Sequence, residues 1–275
     1  MGKIKLIALD LDGTLLDEKK RVPEANREAL REASSRGIII AIASGRMTPR
    51  IECVEDVLGI DCTIIAYNGG KVLGPRKSGR AVIAHRPLPA DVAEIFIRFS
   101  REKGLLLNFY YEDRLYAEDG PLRQPLMALY SGRTGAEYHI EEDLSRFLGR
   151  EPTKLILLAV PEERDRLHEE FRSKLAARAF ITKSDPEYLE IMAPGVDKGS
   201  ALEEISRFYG IDASEVMAVG DADNDLGMLG TAGWGVAVAN AGPHVKAAAK
   251  AVTERTNDEG AVAEAVRRWA LDETR

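Results

Sequence analysis

Apolar residues in the first third of the chain occur in short runs separated by segments with helical spacing. The runs over residues 4–9, 38–43 and 63–66 contain many isoleucines, which is typical of strands covered on both faces of a parallel sheet. Between the first two runs, Pro23 to Arg36 carries the apolar stripe of an amphipathic helix. This alternation predicts a doubly wound, Rossmann-like α/β sheet with ligands at the carboxyl ends of its strands.

The simple alternation stops near residue 70 and returns from Lys198 onward. In between, the pattern mixes hairpin strands with helices, so it predicts a separate α+β domain inserted into the chain. The segment from Pro121 to Arg150 is expected to contain two helices. The predicted domains are a core of residues 1–80 and 185–275 and an inserted α+β domain of residues 81–184.

Composition restricts the classes of function. The net charge of −7 argues against broad nucleic-acid binding, which needs a basic surface, but permits a small anionic substrate beside a metal ion. No apolar run reaches the ~18 residues of a membrane span, and no signal sequence is recognised. We therefore expect no membrane partner and a cytoplasmic location. Cys53 and Cys62 suit neither a disulfide framework nor a zinc site, so we expect reduced, mostly buried thiols.

Two carboxylates stand where the first predicted strand ends. Asp10 and Asp12 are two residues apart, so in an extended chain their side chains point to the same face. Gly13 then lets the backbone turn away. Neighbouring carboxylates repel each other, which indicates a bound cation, a shared proton, or both.

Further polar residues follow other predicted strands, and they are expected to meet Asp10 at one edge of the sheet. Ser44 follows the second strand, Asp221 and Asp225 follow a later one, and Lys198 starts a helix. Mg²⁺ prefers oxygen ligands, which Asp10 and Asp221 could supply. The lysine suits either a phosphate or an ionised Asp10, and the serine can donate to phosphate oxygens.

These residues resemble, in the same order, the four motifs of the haloacid dehalogenase-like phosphatase superfamily. The matching strings are Asp10-Leu11-Asp12-Gly13-Thr14, Ser44-Gly45-Arg46, Lys198 and Gly220-Asp221-Ala222-Asp223-Asn224-Asp225. The strings Asn68-Gly69, Leu189 to Gly199 and Ala232 to Ala241 are similar to the Cof-type subgroup. Gly227, a flexible residue early in a helix, departs from the family pattern, and we expect it to shift loop geometry slightly at most.

The resemblance implies a role for each acidic residue. In this family the first aspartate attacks phosphorus, so Asp10 would be the nucleophile and form an aspartyl-phosphate. Asp12 would protonate the leaving oxygen and later activate water, for which we expect a pKa raised by a neighbouring carboxylate. Mg²⁺ would bind the Asp10 carboxylate, the Asp12 backbone carbonyl and Asp221, and Asp225 would orient these ligands.

The same resemblance assigns the phosphate contacts. The residues that would bind phosphate are Ser44, Gly45, Arg46, Lys198 and Asn224. For Arg46 two interpretations stay open, namely contact with the substrate phosphate and a structural ion pair. The long interval between Ser44 and Lys198 resembles an insertion at the second cap position of the family, where a lid would exclude water and read the leaving group.

We therefore expect a Mg²⁺-dependent phosphatase that acts on small phosphorylated metabolites, first of all sugar phosphates. One alternative is a phosphomutase of the same superfamily, since some relatives with similar caps transfer the phosphoryl group. An alternative from another class is a receiver-like phospho-acceptor module, which also combines acidic pairs, lysine and Mg²⁺. Against the receiver, the aspartate pair opens the chain and a large domain is inserted. The sequence carries no signal for an oligomeric state.

Overall fold

The computed structural model describes residues 3–271, which form two compact units. The first, here called the core unit, consists of the chain up to His85 and from Asp197 onward, and the second, the inserted unit, is Arg86–Val196. Each unit contains its own β-sheet.

Strands and helices are numbered in chain order over the described residues. The strands are β1 Leu6–Asp10, β2 Ile39–Ala43, β3 Thr63–Ala66, β4 Lys71–Leu73, β5 Val82–His85, β6 Leu106–Tyr111, β7 Arg114–Glu118, β8 Tyr138–Glu141, β9 Lys154–Leu158, β10 Phe180–Lys183, β11 Tyr188–Met192, β12 Val216–Gly220, β13 Trp234–Ala237 and β14 Ala251–Val252. The helices are α1 Glu24–Ser35, α2 Thr48–Leu58, α3 Ala90–Lys103, α4 Gln124–Thr134, α5 Pro161–Leu175, α6 Lys198–Tyr209, α7 Leu226–Thr231, α8 Pro243–Ala248 and α9 Ala261–Ala265.

The core unit is built on an eight-stranded sheet in the order β14-β13-β12-β1-β2-β3-β4-β5. The six strands from β14 to β3 run parallel, and β4 and β5 extend the sheet antiparallel. Every residue of β1, β3 and β12 is buried, which explains their continuously apolar sequences. The predicted doubly wound α/β fold is therefore confirmed.

Strand β1 lies between β12 and β2, so the carboxyl ends of three strands are neighbours. Leu9 pairs with Val219 on β12, and Asp10 pairs with Ala43 on β2. The segments that follow β2 and β12 begin with Ser44 and Asp221. Parallel pairing thus brings residues that are far apart in the sequence to one edge of the sheet.

The inserted unit contains a six-stranded sheet in the order β10-β11-β9-β6-β7-β8, antiparallel except for the parallel pair β7 and β8. Helices α3 and α5 pack against this sheet through a buried apolar cluster. Its aromatic centre includes Phe96 and Phe171, whose ring centroids are 4.7 Å apart. Phe109 and Phe147 stack at 4.8 Å. A separate apolar core of this kind is what the predicted α+β domain requires.

The boundaries of the two units differ from the expected ones. Strand β5 pairs with β4 and so extends the core sheet to His85, rather than to residue 80. The expected boundary at residue 185 would leave β11 in the core, but β11 pairs with β9 and β10 in the other sheet, and the inserted unit runs to Val196. Strand pairing decides both boundaries. The local pattern of apolar residues does not show which strands pair, so it could not predict them.

The segment expected to hold two helices contains only one of them. Helix α4 is followed by strand β8 and by a 3₁₀ turn at Leu144–Phe147. The residues of β8 are half-buried or exposed, because the strand lies at the edge of the sheet. A short edge strand of this kind leaves no apolar run in the sequence.

One cysteine differs from the expectation. Neither cysteine forms a disulfide; Cys62 is buried, but Cys53 is exposed on α2, so only one thiol is shielded from solvent. Burial raises the pKa of the Cys62 thiol, and Glu55 adds to the rise. Across residues 3–271, no helix is both long enough and apolar enough to cross a membrane.

Helices α6 and α7 approach each other closely at two glycines. A Cβ built on Gly227 would lie 2.5 Å from Asp197 Oδ1, and one on Gly199 would lie 2.6 Å from the Gly227 carbonyl group. Asp197 Oδ1 in turn caps α6, accepting from the Gly199 N–H at 2.7 Å. Gly227, which departs from the family pattern, is therefore required by the packing that positions the start of α6.

The variant Gly227→Ala is expected to lower the free energy of unfolding by about 1–3 kcal/mol, because the added methyl group overpacks this contact. Urea denaturation measures the change. The matched control is Gly230→Ala on the same helix, where a built Cβ meets nothing within 4 Å. Equal unfolding free energies for the two variants would contradict the packing explanation.

Candidate active site

A buried lysine joins two carboxylates at the edge of the core sheet. Lys198, the first residue of α6, is fully buried, and its Nζ donates to Asp10 Oδ1 and to Asp225 Oδ1, each at 2.6 Å. Asp10 ends β1 and is only 6% exposed. A lysine is rarely buried unless its charge is matched, and here two carboxylates match it.

Asp221 is held beside this group by the turn after β1. Its Oδ1 accepts a hydrogen bond from Thr14 Oγ1 at 2.8 Å. Gly13 has a φ of +86°, and a Cβ there would lie 2.5 Å from Asp221 Oδ2. The turn can pack against the carboxylate only because this residue has no side chain.

Asp225 supports the turn that carries Asp221. Its Oδ2 accepts from the backbone N–H of Asp221 at 2.9 Å and from that of Ala222 at 3.1 Å. Its Oδ1 is the oxygen that binds Lys198. Both oxygens are thus used, and Asp225 fixes the position of Asp221 relative to the lysine.

The donor set suits a hard divalent cation. Asp10, Asp221 and Asp225 each offer a carboxylate oxygen, and these atoms lie within 4.8 Å of one another. Three carboxylates face one ammonium group, so the cluster carries excess negative charge in a largely buried place. Mg²⁺ takes oxygen ligands and would neutralise this excess.

The excess of negative charge also shifts the pKa values of the groups in this cluster. Burial raises the pKa of Asp10 to about 8 against the opposing charge of Lys198, and Asp225 adds to the rise. Burial also raises the pKa of Asp221, although the hydrogen bond from Thr14 opposes it. For Lys198, burial disfavours the charge, but Asp10 and Asp225 outweigh burial and raise the pKa. Lys198 is therefore charged, but its single positive charge does not balance the negative charge of the carboxylates around it.

Asp12 has a different environment from the one expected. Arg46 donates from Nε to Asp12 Oδ2 at 2.9 Å and from Nη2 to Oδ1 at 2.6 Å, while Lys20 Nζ donates to Oδ1 at 2.7 Å. Burial favours the neutral acid, but the hydrogen bonds from Arg46 and Lys20 outweigh it and lower the pKa of Asp12. The expectation of a raised pKa is wrong for this arrangement, because the groups that hydrogen-bond to Asp12 are cations, whereas a neighbouring carboxylate was expected to raise the pKa.

Of the two interpretations left open for Arg46, the structure contains the ion pair. Its guanidinium binds both oxygens of Asp12 in the bidentate geometry that arginine favours. The side chain of Asp12 is 39% exposed, so this pair lies at the rim of the cluster.

The loop after β2 is tied to the segment after β3. Ser44 N–H donates to the Ile65 carbonyl at 2.8 Å, and the Ser44 carbonyl accepts from Asn68 N–H at 2.9 Å. Ser44 Oγ accepts from Arg46 N–H at 3.2 Å. Asn224, in the loop after β12, donates from Nδ2 to Asn68 Oδ1 at 3.2 Å. The predicted phosphate-binding residues Ser44 and Asn224 thus lie on loops that Asn68 connects.

Sequence reasoning gave no role to three residues that the structure brings to this cluster. Thr14 belongs to the first motif string, but only its bond to Asp221 shows what it does. Lys20 reaches Asp12 from the following loop, and no pattern marks it. Asn68 stands in an Asn-Gly pair, which signals a positive φ, and that signal could have identified it as a constrained position.

Known proteins resemble this chain over most of its length. The model of the haloacid dehalogenase-like hydrolase family matches residues 7–266. The HMP-PP phosphatase of Serratia proteamaculans is 32% identical, over 88% of this chain and 86% of its own. The 5-amino-6-(5-phospho-D-ribitylamino)uracil phosphatase YcsE of Bacillus subtilis is 29% identical, over 98% of this chain and 96% of its own. The crystal structure of TM0651 from Thermotoga maritima superposes with a TM-score of 0.89 at 32% identity, covering 98% of each chain.

Proposed function

The chain belongs to the haloacid dehalogenase-like hydrolase family and is a phosphatase, and from this premise we propose that it is a Mg²⁺-dependent enzyme that hydrolyses phosphate monoesters of small metabolites through an aspartyl-phosphate on Asp10. The observation that carries the proposal is the buried Lys198, bound to Asp10 and Asp225 at 2.6 Å beside Asp221. A folding chain gains little from burying this many charges together, so their function is chemical.

The first half of the reaction transfers the phosphoryl group to Asp10. A carboxylate oxygen of Asp10 attacks phosphorus, and the bond from phosphorus to the leaving oxygen breaks. The leaving oxygen takes a proton from Asp12 and departs as an alcohol. To carry that proton, Asp12 must first part from Arg46 and Lys20, whose hydrogen bonds lower its pKa.

The second half returns Asp10 to its starting state. Water attacks phosphorus, Asp12 accepts a proton from that water, and the bond from phosphorus to the Asp10 oxygen breaks to release inorganic phosphate. The ionised Asp12 is the form that can accept this proton. Lys198 holds Asp10 in place in both halves, because its ammonium group already binds Oδ1.

The proposed metal ligands are Asp10, Asp221 and the backbone carbonyl of Asp12. Asp225 belongs to the same metal site and orients these ligands, because its two oxygens already bind Lys198 and the turn that carries Asp221. Mg²⁺ bound there would neutralise the excess carboxylate charge and polarise a phosphoryl oxygen. Thr14 holds Asp221, and Asp225 holds the turn that carries it. These hydrogen bonds from Thr14 and to Asp225 keep the proposed metal ligands in place.

The proposed phosphate contacts are the Ser44 hydroxyl group, the backbone of Gly45, the ammonium group of Lys198 and the amide of Asn224. Arg46 joins them only if it exchanges Asp12 for the phosphate. Two relatives are named as phosphatases of 5-amino-6-(5-phospho-D-ribitylamino)uracil and of HMP-PP, which supports small phosphorylated metabolites as the substrate class. Sugar phosphates stay the first candidates within that class as a prediction. The reading of the leaving group by the inserted unit and the cytoplasmic location stay predictions.

A panel of phosphorylated metabolites, assayed with Mg²⁺ and ranked by kcat/KM, tests the substrate class. The expected result is turnover of sugar phosphates with release of inorganic phosphate. A requirement for a bisphosphate activator, with transfer instead of release, would favour the phosphomutase alternative.

Removing divalent cations is expected to lower kcat/KM at least about 100-fold, because the carboxylate cluster then repels the substrate's phosphate. Dialysis against EDTA followed by Mg²⁺ titration measures the loss and its recovery. Mg²⁺ at 100 times its Kd should also stabilise the wild type by about 2.7 kcal/mol. The variant Asp221→Asn is the control, since it should lose much of that stabilisation. Full activity after chelation would exclude a metal requirement.

A further inference from the structure

The turn after β3 has an unusual backbone. Tyr67, Asn68 and Gly69 have φ values of +52°, +54° and +106° in succession. Only glycine adopts this region freely, and asparagine tolerates it better than most residues. A fully buried tyrosine beside it in the same conformation is disfavoured, so the surrounding structure must impose the turn.

The contacts that impose the turn come from the candidate active site. Tyr67 N–H donates to the Arg46 carbonyl at 3.0 Å, and Asn68 N–H donates to the Ser44 carbonyl at 2.9 Å. Gly69 packs so closely on the Asp197 carbonyl that an added Cβ would collide with it. The backbone of the turn therefore touches the loop after β2 and the residue that precedes Lys198.

The side chain of Asn68 connects two of the loops proposed to hold phosphate. Its Oδ1 accepts from Asn224 Nδ2 at 3.2 Å. A Cβ built on Gly45 would lie 3.1 Å from both amide atoms of Asn68, so the amide also lies against the Gly45 backbone.

We propose that Asn68 is a positioning residue for the phosphoryl group, acting through Asn224 and Gly45. The strained turn brings its amide between the loop after β2 and the loop after β12, and the amide sets the distance between them. The inference rests on the proposed function, because it takes Ser44, Gly45 and Asn224 as the phosphate contacts. Asn68 therefore influences the affinity for the phosphate group and not the leaving group.

A substitution by glycine separates this role from backbone strain, because Asn68→Gly keeps the positive φ and removes only the amide. We expect KM for p-nitrophenyl phosphate and for acetyl phosphate to rise by about fivefold, with kcat within about twofold, as for the loss of one or two neutral hydrogen bonds. The Kd of inorganic phosphate, measured calorimetrically with Mg²⁺, should rise by the same factor.

A double-mutant cycle tests the path through Asn224. We expect Asn224→Ala to raise the same constants further, because it also removes a proposed phosphate contact. In that background Asn68→Gly should have a smaller effect than it has alone, because the hydrogen bond between the two amides is already lost. Effects that multiply fully would overturn the proposed path. A lowered Tm with an unchanged phosphate Kd would overturn the positioning role and leave a purely structural one.

The matched control is Glu112→Gly, at an exposed position with a φ of +50° in the hairpin between β6 and β7. It relieves the same kind of backbone strain in the inserted unit, and its KM and phosphate Kd should equal those of the wild type. Phosphate binding is measured without turnover. A failure of the proposed reaction would therefore appear separately, as equal hydrolysis by the wild type and Asp10→Asn.

Discussion

Replacing Asp10 with asparagine is expected to abolish hydrolysis of an aryl phosphate while the protein stays folded. The amide has the same shape but is not a nucleophile, and loss of a catalytic nucleophile costs about 10⁴-fold or more in kcat. The variant also removes one of the three carboxylates that face Lys198, while Asp225 still binds the ammonium group. We therefore expect a Tm no lower than that of the wild type without metal.

The control for Asp10→Asn is Asp223→Asn in the same group of acidic residues. The side chain of Asp223 is 81% exposed and pairs with His244, so its loss should leave kcat unchanged. Chemical trapping of the phosphorylated enzyme during a single turnover adds a second readout, since hydrolysis through Asp10 forms a covalent aspartyl-phosphate that direct attack by water does not form. Residual activity of Asp10→Asn near the wild-type level would exclude the proposed nucleophile.

Replacing Lys198 with methionine is expected to remove activity and to destabilise the fold. Methionine fills a similar volume but leaves Asp10 and Asp225 buried without the ammonium group that binds both at 2.6 Å. Breaking a buried ion pair costs about 3–5 kcal/mol, because the remaining charge has no partner. Loss of a cation at the phosphoryl group adds a decrease of about 10²–10³-fold in kcat.

Urea denaturation and steady-state kinetics of Lys198→Met measure the two effects. The control is Lys5→Met, which removes the pair of Lys5 with Glu215, where the lysine side chain is 56% exposed. An exposed pair contributes at most about 1 kcal/mol, so this variant should remain near the wild type in both measurements. Equal stability losses for the two variants would show that Lys198 does not balance the buried carboxylates.

Much of the core sheet could be predicted from local pattern. The runs that became β1, β2 and β3 are buried on both faces, and a continuous apolar sequence is the direct consequence of that burial. The inserted unit was less readable, because its edge strand β8 is half-exposed and has no apolar run. Its boundaries depend on the pairing of β5 and β11, which involves partners outside the local segment.

In the acidic cluster too, some features could be predicted from the sequence and others depend on tertiary packing. Asp10 ends β1 and Asp221 directly follows β12, so the parallel pairing of these two strands predicts that the two carboxylates meet. The positions of Lys198 and Asp225 beside them depend on the packing of α6 and on the turn after β12. The protonation of Asp12 was not predictable in this way. Its lowered pKa depends on where Arg46 and Lys20 direct their side chains, and side-chain direction is decided by packing.

The sequence by itself determined the class of fold, which follows from periodicity, and it predicted the candidate site residues from residue type at strand ends and from the resemblance of four motifs to a known family. Only the tertiary structure decided which charges pair, that Gly227 is needed for the contact between α6 and α7, and that Asn68 joins two loops. The physical reason is range. Periodicity reports the environment of neighbouring residues, whereas ion pairs and close helix contacts depend on distances between residues far apart in the chain.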